Sequence, residues 1–168
     1  LPLSPIGYAG KVWDKIGYTP DEFIEFYEKA LDYIIEINKN EKFIERNAAI
    51  KLRKILFGED PNYLDLRSPC GAVIGQIAYN PDGDIYSCDE GRMIGARNNY
   101  TFRLGNVFKS SYDDIINSKK TRYIVYSSIN DNYPRCFRCA FKPYCGVCPV
   151  LNYEIKGSLI NTCLLYTS

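Results

Sequence analysis

Between Pro134 and Pro149 the chain reads PRCFRCAFKPYCGVCP, which places Cys136, Cys139, Cys145 and Cys148 within thirteen residues. Two cysteines separated by two residues can turn both sulfurs toward one point, and Pro143 and Gly146 in the gaps bend the backbone instead of extending it. Core packing gives no reason for thiols to recur at such intervals, so disulfides and free core thiols are the weaker readings. The spacing predicts metal ligands, and the rest of the fold must accommodate a loop wrapped around a metal. It leaves the metal open. One tetrahedral Zn²⁺ on Cys136, Cys139, Cys145 and Cys148 would make a structural binding module, and an iron–sulfur cluster would use the same thiols.

The remaining composition narrows the chemistry. Histidine is absent from the 168 residues, which excludes His-containing zinc sites, a Ser-His-Asp triad and a Cys-His nucleophile pair. Seven cysteines without a basic, then apolar, secretory start fit a reducing, cytoplasmic setting. A net charge of +1 gives no cationic surplus for nucleic acid. No apolar run approaches the ~20 residues of a spanning helix, so no membrane partner is expected.

Two parts are expected, 1–66 and 67–168. The first opens with apolar residues that read as the end of a strand, followed by a Pro/Gly loop. Thr19-Pro20-Asp21-Glu22 then predicts a helix start with a capping box, continuing to about Asn38. Phe23, Tyr27, Ala30, Ile34 and Ile37 recur at three and four to form its inner face, widened by Phe26, Tyr33 and Ile35. A second helix is expected over 41–57, with Phe43, Ile44, Ala48, Leu52 and Ile55 inward and Gly58 ending it. Residues 61–68 connect to the cysteine-bearing part. There Gln76–Asn80, Pro81-Asp82-Gly83-Asp84 and Ile85–Cys88 predict a hairpin that brings Cys70 and Cys88 to one end. Residues 102–107 read as a further strand or tight turn, and a helix is expected from Ser111 through Tyr126, with Lys119, Lys120 and Arg122 meeting solvent.

Taken together, Cys70, Gly83, Cys88, the 136–148 quartet and Cys163 resemble the SPASM extension of radical S-adenosylmethionine enzymes that modify peptides. The last gap of the quartet departs from the family, which more often has three residues where this chain has Gly146-Val147. The stretches SPIGYAGK and YNPDGDIYSCDEGRM are similar to maturases of His-Xaa-Ser peptide systems. The resemblance implies an α+β chain: the end of a (β/α) barrel over 1–66, then a hairpin and a loop-rich, cysteine-rich SPASM-like domain with short helices. It implies two auxiliary 4Fe–4S clusters, one on Cys70, Cys88 and Cys148, the other on Cys136, Cys139, Cys145 and Cys163. It implies a role for Asp89 as proton acceptor, as in sulfatase-maturing relatives, although a turn or cap residue is the alternative. The partners it implies are a precursor peptide or protein substrate and an electron donor.

The radical step of that family needs S-adenosylmethionine and a third 4Fe–4S cluster on a Cys-x3-Cys-x2-Cys loop. No such loop occurs in this sequence, so these residues alone are expected to be inactive. The closing Cys163-Leu-Leu-Tyr-Thr-Ser is also one reading frame of the end of a transposase sequencing adapter, TGTCTCTTATACACATCT. On that reading Cys163 is not encoded by the gene, and resequencing past Thr162 decides it.

Overall fold

The computed structural model describes residues 6–60, 63 and 66–161. The expected strand end before residue 6, most of the connection over 61–65, and Cys163 lie outside them. Contacts divide the chain into two units, one of Asp14–Pro61 and the other of Leu1–Trp13 with Asn62–Ser168. Residues 6–13 thus group with the cysteine-bearing part. Among the described residues no helix is long and apolar enough to cross a membrane.

The short helix α1 (Trp13–Ile16), whose first residue belongs to the other unit, leads to α2 (Pro20–Ile37). The start of α2 is set locally: Thr19 Oγ1 accepts the Glu22 N–H and the Glu22 carboxylate accepts the Thr19 N–H, closing the capping box. The expected inner face is the half-covered one, whereas Phe26, Tyr33 and Ile35 are exposed and do not widen it. The second helix, α3 (Arg46–Phe57), begins five residues later than the periodicity suggested. The Asn38 side chain binds the Phe43 N–H and carbonyl, holding 39–44 in a loop, and the Glu45 carboxylate caps the N–H groups of Asn47 and Ala48. That shift rotates the face. Phe43, Ile44, Leu52 and Ile55 are exposed, Ala48 is half-buried, and Ile50 is the buried residue. Gly58 ends the helix at φ 64°, the left-handed conformation expected of it.

The second unit is built on a three-stranded antiparallel sheet, β1 (Ala78–Tyr79), β2 (Asp84–Tyr86) and β3 (Arg103–Asn106), in that order. Gly83, at φ 85°, makes the turn with its N–H on the Asn80 carbonyl, and Ala78 pairs with Tyr86. The hairpin is therefore as expected but shorter, and 102–107 does supply a strand. Five helices follow or interrupt the sheet: α4 (Asp89–Gly95), α5 (Tyr112–Ile116), α6 (Lys119–Tyr126), α7 (Pro134–Phe137) and α8 (Pro149–Lys156). The single helix expected over 111–126 is two, because Ser118 Oγ accepts the Thr121 N–H and starts a new helix. Lys119 and Lys120 accordingly stand at a helix start, where Lys120 donates to the Arg103 carbonyl at 2.9 Å. Tyr86, Phe102, Ile94, Ile124 and Val150 are fully buried and form the centre of the core, with Ile6 and Leu159 at its ends. The architecture is α+β.

Candidate metal centre

Two of the cysteines occupy the same local position. Cys88, leaving β2, is the N-cap of α4, and its Sγ accepts the Gly91 N–H at 3.4 Å. Cys148 is the N-cap of α8, and its Sγ accepts the Leu151 N–H at 3.4 Å. The first N–H groups of a helix lack partners within it, and a sulfur at the N-cap meets them as an oxygen would. Pro149 at the first position of α8 needs no such partner and presets the backbone. The helix dipoles place partial positive charge at both sulfurs, which favours thiolate.

Cys70 reaches the same place from the chain before β1. Its N–H donates to Ser128 Oγ at 3.0 Å, and the Val73 N–H donates to the Ser87 carbonyl at 3.0 Å, so the segment after Cys70 runs beside the approach to Cys88. Cys88 lies within the hydrophobic core, and Cys70 and Cys148 pack against it. Burial pushes the Cys88 thiol far above its ordinary range, despite the Gly91 N–H, with the charge of Cys148 adding to the rise. Burial likewise pushes Cys148 up to about 12, and Cys70 contributes. Burial thus favours the neutral form of Cys88 and Cys148, and a bound cation reverses that by deprotonating the thiols that coordinate it.

The other three thiols of the motif follow one another through tight turns. Cys136 lies in α7, the Cys139 N–H returns to the Cys136 carbonyl at 3.1 Å, and Lys142–Tyr144 form a 3₁₀ turn that delivers Cys145. Cys136 and Cys139 are half-buried and Cys145 is exposed. Lys142 pairs with Asp131 and stands over the Phe137 ring, 5.4 Å from its centroid. Asp89 lies in the first turn of α4, exposed and held by the Arg92 guanidinium at 2.7 and 2.9 Å.

No disulfide joins any two of the six described cysteines. Among the described residues, no three His, Cys, Asp or Glu side chains converge as the ligands of a single ion must. Cys148 packs, as Cys70 does, against the core that contains Cys88, and both of those cysteines lie outside its own motif. An all-thiol donor set, low polarity and N–H···S bonds fit an iron–sulfur cluster, whose several irons hold their thiolates farther apart than one ion does.

The residues that sequence reasoning missed are Ser128, Asn130 and Tyr133, buried polar side chains between α6 and α7, of which Ser128 and Asn130 bind the backbone of cysteine-bearing segments. The run Ser127-Ser128-Ile129-Asn130 reads as a polar loop. Only its burial, at about 1% exposure for Ser127, Ser128 and Asn130, marks it.

The family model for SPASM, described as an iron-sulfur cluster-binding domain, matches residues 70–140, beginning on Cys70. The sequence has no match among curated proteins. Two solved structures of anSMEcpe with bound AdoMet share the fold. The native form superposes with a TM-score of 0.64 at 18% identity, over 88% of this chain and 38% of that one. A hexahistidine-tagged form gives 0.65 at 19% identity, over 88% and 37%. The chain thus spans well under half the length of the solved proteins it resembles. Its cysteine-bearing part is similar, over residues 70–140, to the SPASM iron-sulfur cluster-binding domain.

Proposed function

We propose that this chain is the auxiliary-cluster portion of a radical S-adenosylmethionine enzyme that modifies a ribosomally made peptide or protein. The observation that supports the reading is that Cys70 and Cys148, far apart in sequence, both pack against the core that contains Cys88, within a chain whose residues 70–140 match an iron-sulfur cluster-binding domain. Cys70, Cys88 and Cys148 would hold one 4Fe–4S cluster. Cys136, Cys139 and Cys145 would hold the other, with Cys163 as fourth ligand if it is native. When bound, such clusters pass electrons or anchor substrate. The chain's own contribution is to fix the thiols at two helix N-termini and to exclude water around Cys88 and Cys148. Asp89, exposed next to Cys88 and bonded to Arg92, would be the carboxylate that takes a substrate proton. The helices of Asp14–Pro61 would be the last of a (β/α) barrel, and S-adenosylmethionine with a third 4Fe–4S cluster would be bound by sequence other than this. An electron donor and a precursor peptide complete the set of partners, in the cytoplasm.

The test is anaerobic reconstitution of the gene product carrying this chain with ferrous iron and sulfide. Expected are a brown protein, several irons per chain and matching acid-labile sulfide. A colourless protein with one zinc and no sulfide would establish the structural zinc module instead.

A further inference from the structure

The turn between α6 and α7 carries no cysteine, yet its hydrogen bonds reach three of the cysteine-bearing segments. Ser128 Oγ accepts the Cys70 N–H while donating to the Val125 carbonyl at 2.7 Å. The Asn130 N–H donates to Ser68 Oγ at 2.9 Å, two residues before Cys70. Asn130 Nδ2 donates to the Cys145 carbonyl at 2.8 Å, across fifteen residues. The Asn130 carbonyl accepts the Tyr133 N–H, and the Tyr133 carbonyl accepts that of Cys136. The Tyr133 hydroxyl, in turn, donates to the Ser127 carbonyl and accepts the Asn161 N–H.

We propose that Asn130 is a positioning residue that sets Cys145 against the Cys70 segment, so that the thiols of the quartet meet iron in a fixed place. This rests on the cluster reading above. Asn130 is about 1% exposed, and burying an amide is unfavourable unless its groups are bonded. Its Oδ1 is buried without a donor among the described residues, so the amide is only half satisfied by the fold. A fold-filling role alone would be served as well by an apolar side chain of the same shape. What the amide adds is the Nδ2 bond to Cys145. Reversing the amide would set Oδ1 against the Cys145 carbonyl, two acceptors face to face, so its orientation is fixed by that bond. The Cys145 N–H donates to the Lys142 carbonyl at a long 3.4 Å and its side chain is exposed, so the Asn130 bond tethers it from the buried side.

The experiment uses the full-length enzyme reconstituted anaerobically with iron and sulfide. Asn130→Asp keeps the shape but replaces the donor with an acceptor facing the Cys145 carbonyl. It is expected to lose the same iron, and the same electron paramagnetic resonance signal on reduction, as Cys145→Ala, about four irons of one cluster. Wild-type loading and an unchanged signal would overturn the proposal. If Asn130→Asp does not fold, Asn130→Ser is compared with wild type in thermal unfolding of the loaded and metal-free forms. A larger downward shift in the loaded form is expected, because binding energy is then lost as well as packing. Equal shifts would show a purely structural residue and overturn the proposal. A wild-type enzyme that takes up no iron overturns the cluster reading and this inference together, whereas a loaded Asn130→Asp overturns this inference alone.

Discussion

Replacing Gly95 with alanine tests how tightly the sheet fixes α4, and through it Cys88. A Cβ on Gly95 would stand 2.4 Å from Tyr86 Cε1 and 2.5 Å from both Cζ and Oη. Carbon atoms in contact prefer about 3.5–4.0 Å, so the ring must retreat by about 1 Å or more. Tyr86 is about 1% exposed in the middle of the core and has nowhere open to go. Overpacking of this kind costs about 1–3 kcal/mol. Alanine recovers at most about 1 kcal/mol of helix propensity, and less at the last residue of α4. The net expectation is about 1–2 kcal/mol of destabilisation, or roughly 2–8 °C in Tm for a chain of this size. The sole tryptophan, Trp13, falls in the same unit as the sheet, so its fluorescence during thermal and urea unfolding reports the change. A Tyr86→Leu background should reduce the cost of Gly95→Ala, a non-additivity that identifies the ring as the obstacle. A Gly95→Ala protein as stable as wild type, or equal costs in both backgrounds, would refute the steric argument.

Tyr27→Phe removes the 2.6 Å bond to the Glu45 carboxylate that caps α3, and at this solvent-screened site should cost about 0.5–1 kcal/mol. Burial and the Glu45 carboxylate push the Tyr27 hydroxyl up to about 12 from 10, so its contribution is complete below pH 10 and is lost as pH rises toward 12. At Glu45 burial raises the pKa, but the bonds from Tyr27 and from the Ala48 and Asn47 N–H groups outweigh it and the net shift is downward; its contribution holds above pH 4.5 and is lost as pH falls. Far-UV circular dichroism melts against pH should show both limbs in wild type, the alkaline one missing in Tyr27→Phe. For the thiols, Cys70→Ala, Cys88→Ala and Cys148→Ala should each lose the same share of iron on reconstitution, and the Cys88→Ala, Cys148→Ala double variant no more than either single one. A Cys136→Ala, Cys148→Ala double variant that loses no more iron than Cys136→Ala alone would return Cys148 to the quartet.

What could be read from the sequence was what is decided within a few residues. The start of α2 is written in Thr19-Pro20-Asp21-Glu22, and the hairpin turn in Pro81-Asp82-Gly83, because each satisfies its own backbone. The start of α3 was misread because Phe43 and Ile44 continue a helical apolar pattern, while the side chain that holds them out of the helix, Asn38, belongs to the preceding element. The break between α5 and α6 had a local signal in Ser118, outweighed by the apolar periodicity on either side. Helix α8 had its own marks, Pro149 at the start and Gly157 at φ 69° after the end, but the cysteine spacing absorbed Pro149 into the metal loop. Buried Asn130 could not be read at all, since its partners lie 15 and 62 residues away.

The same distinction bears on the proposed division of one compact motif between two places. Cys136, Cys139 and Cys145 sit on turns whose hydrogen bonds are mostly with one another, so their mutual spacing is a property of the loop. Cys148 is different, because it is the first residue governed by α8. Val150 at 1% exposure anchors that helix in the core beside Tyr86 and Ile94, and Tyr153 meets the Phe102 ring edge-on at 5.6 Å. Arg97, just beyond α4, pairs with Glu154 near the end of α8. Packing of α8 on the elements that carry Cys88 therefore decides where the Cys148 sulfur points, and the two residues of Gly146-Val147 only have to span the gap. The short gap leaves the N-cap sulfur under the control of the helix, so the proposed division of thiols would follow from the core and not from the cysteine spacing.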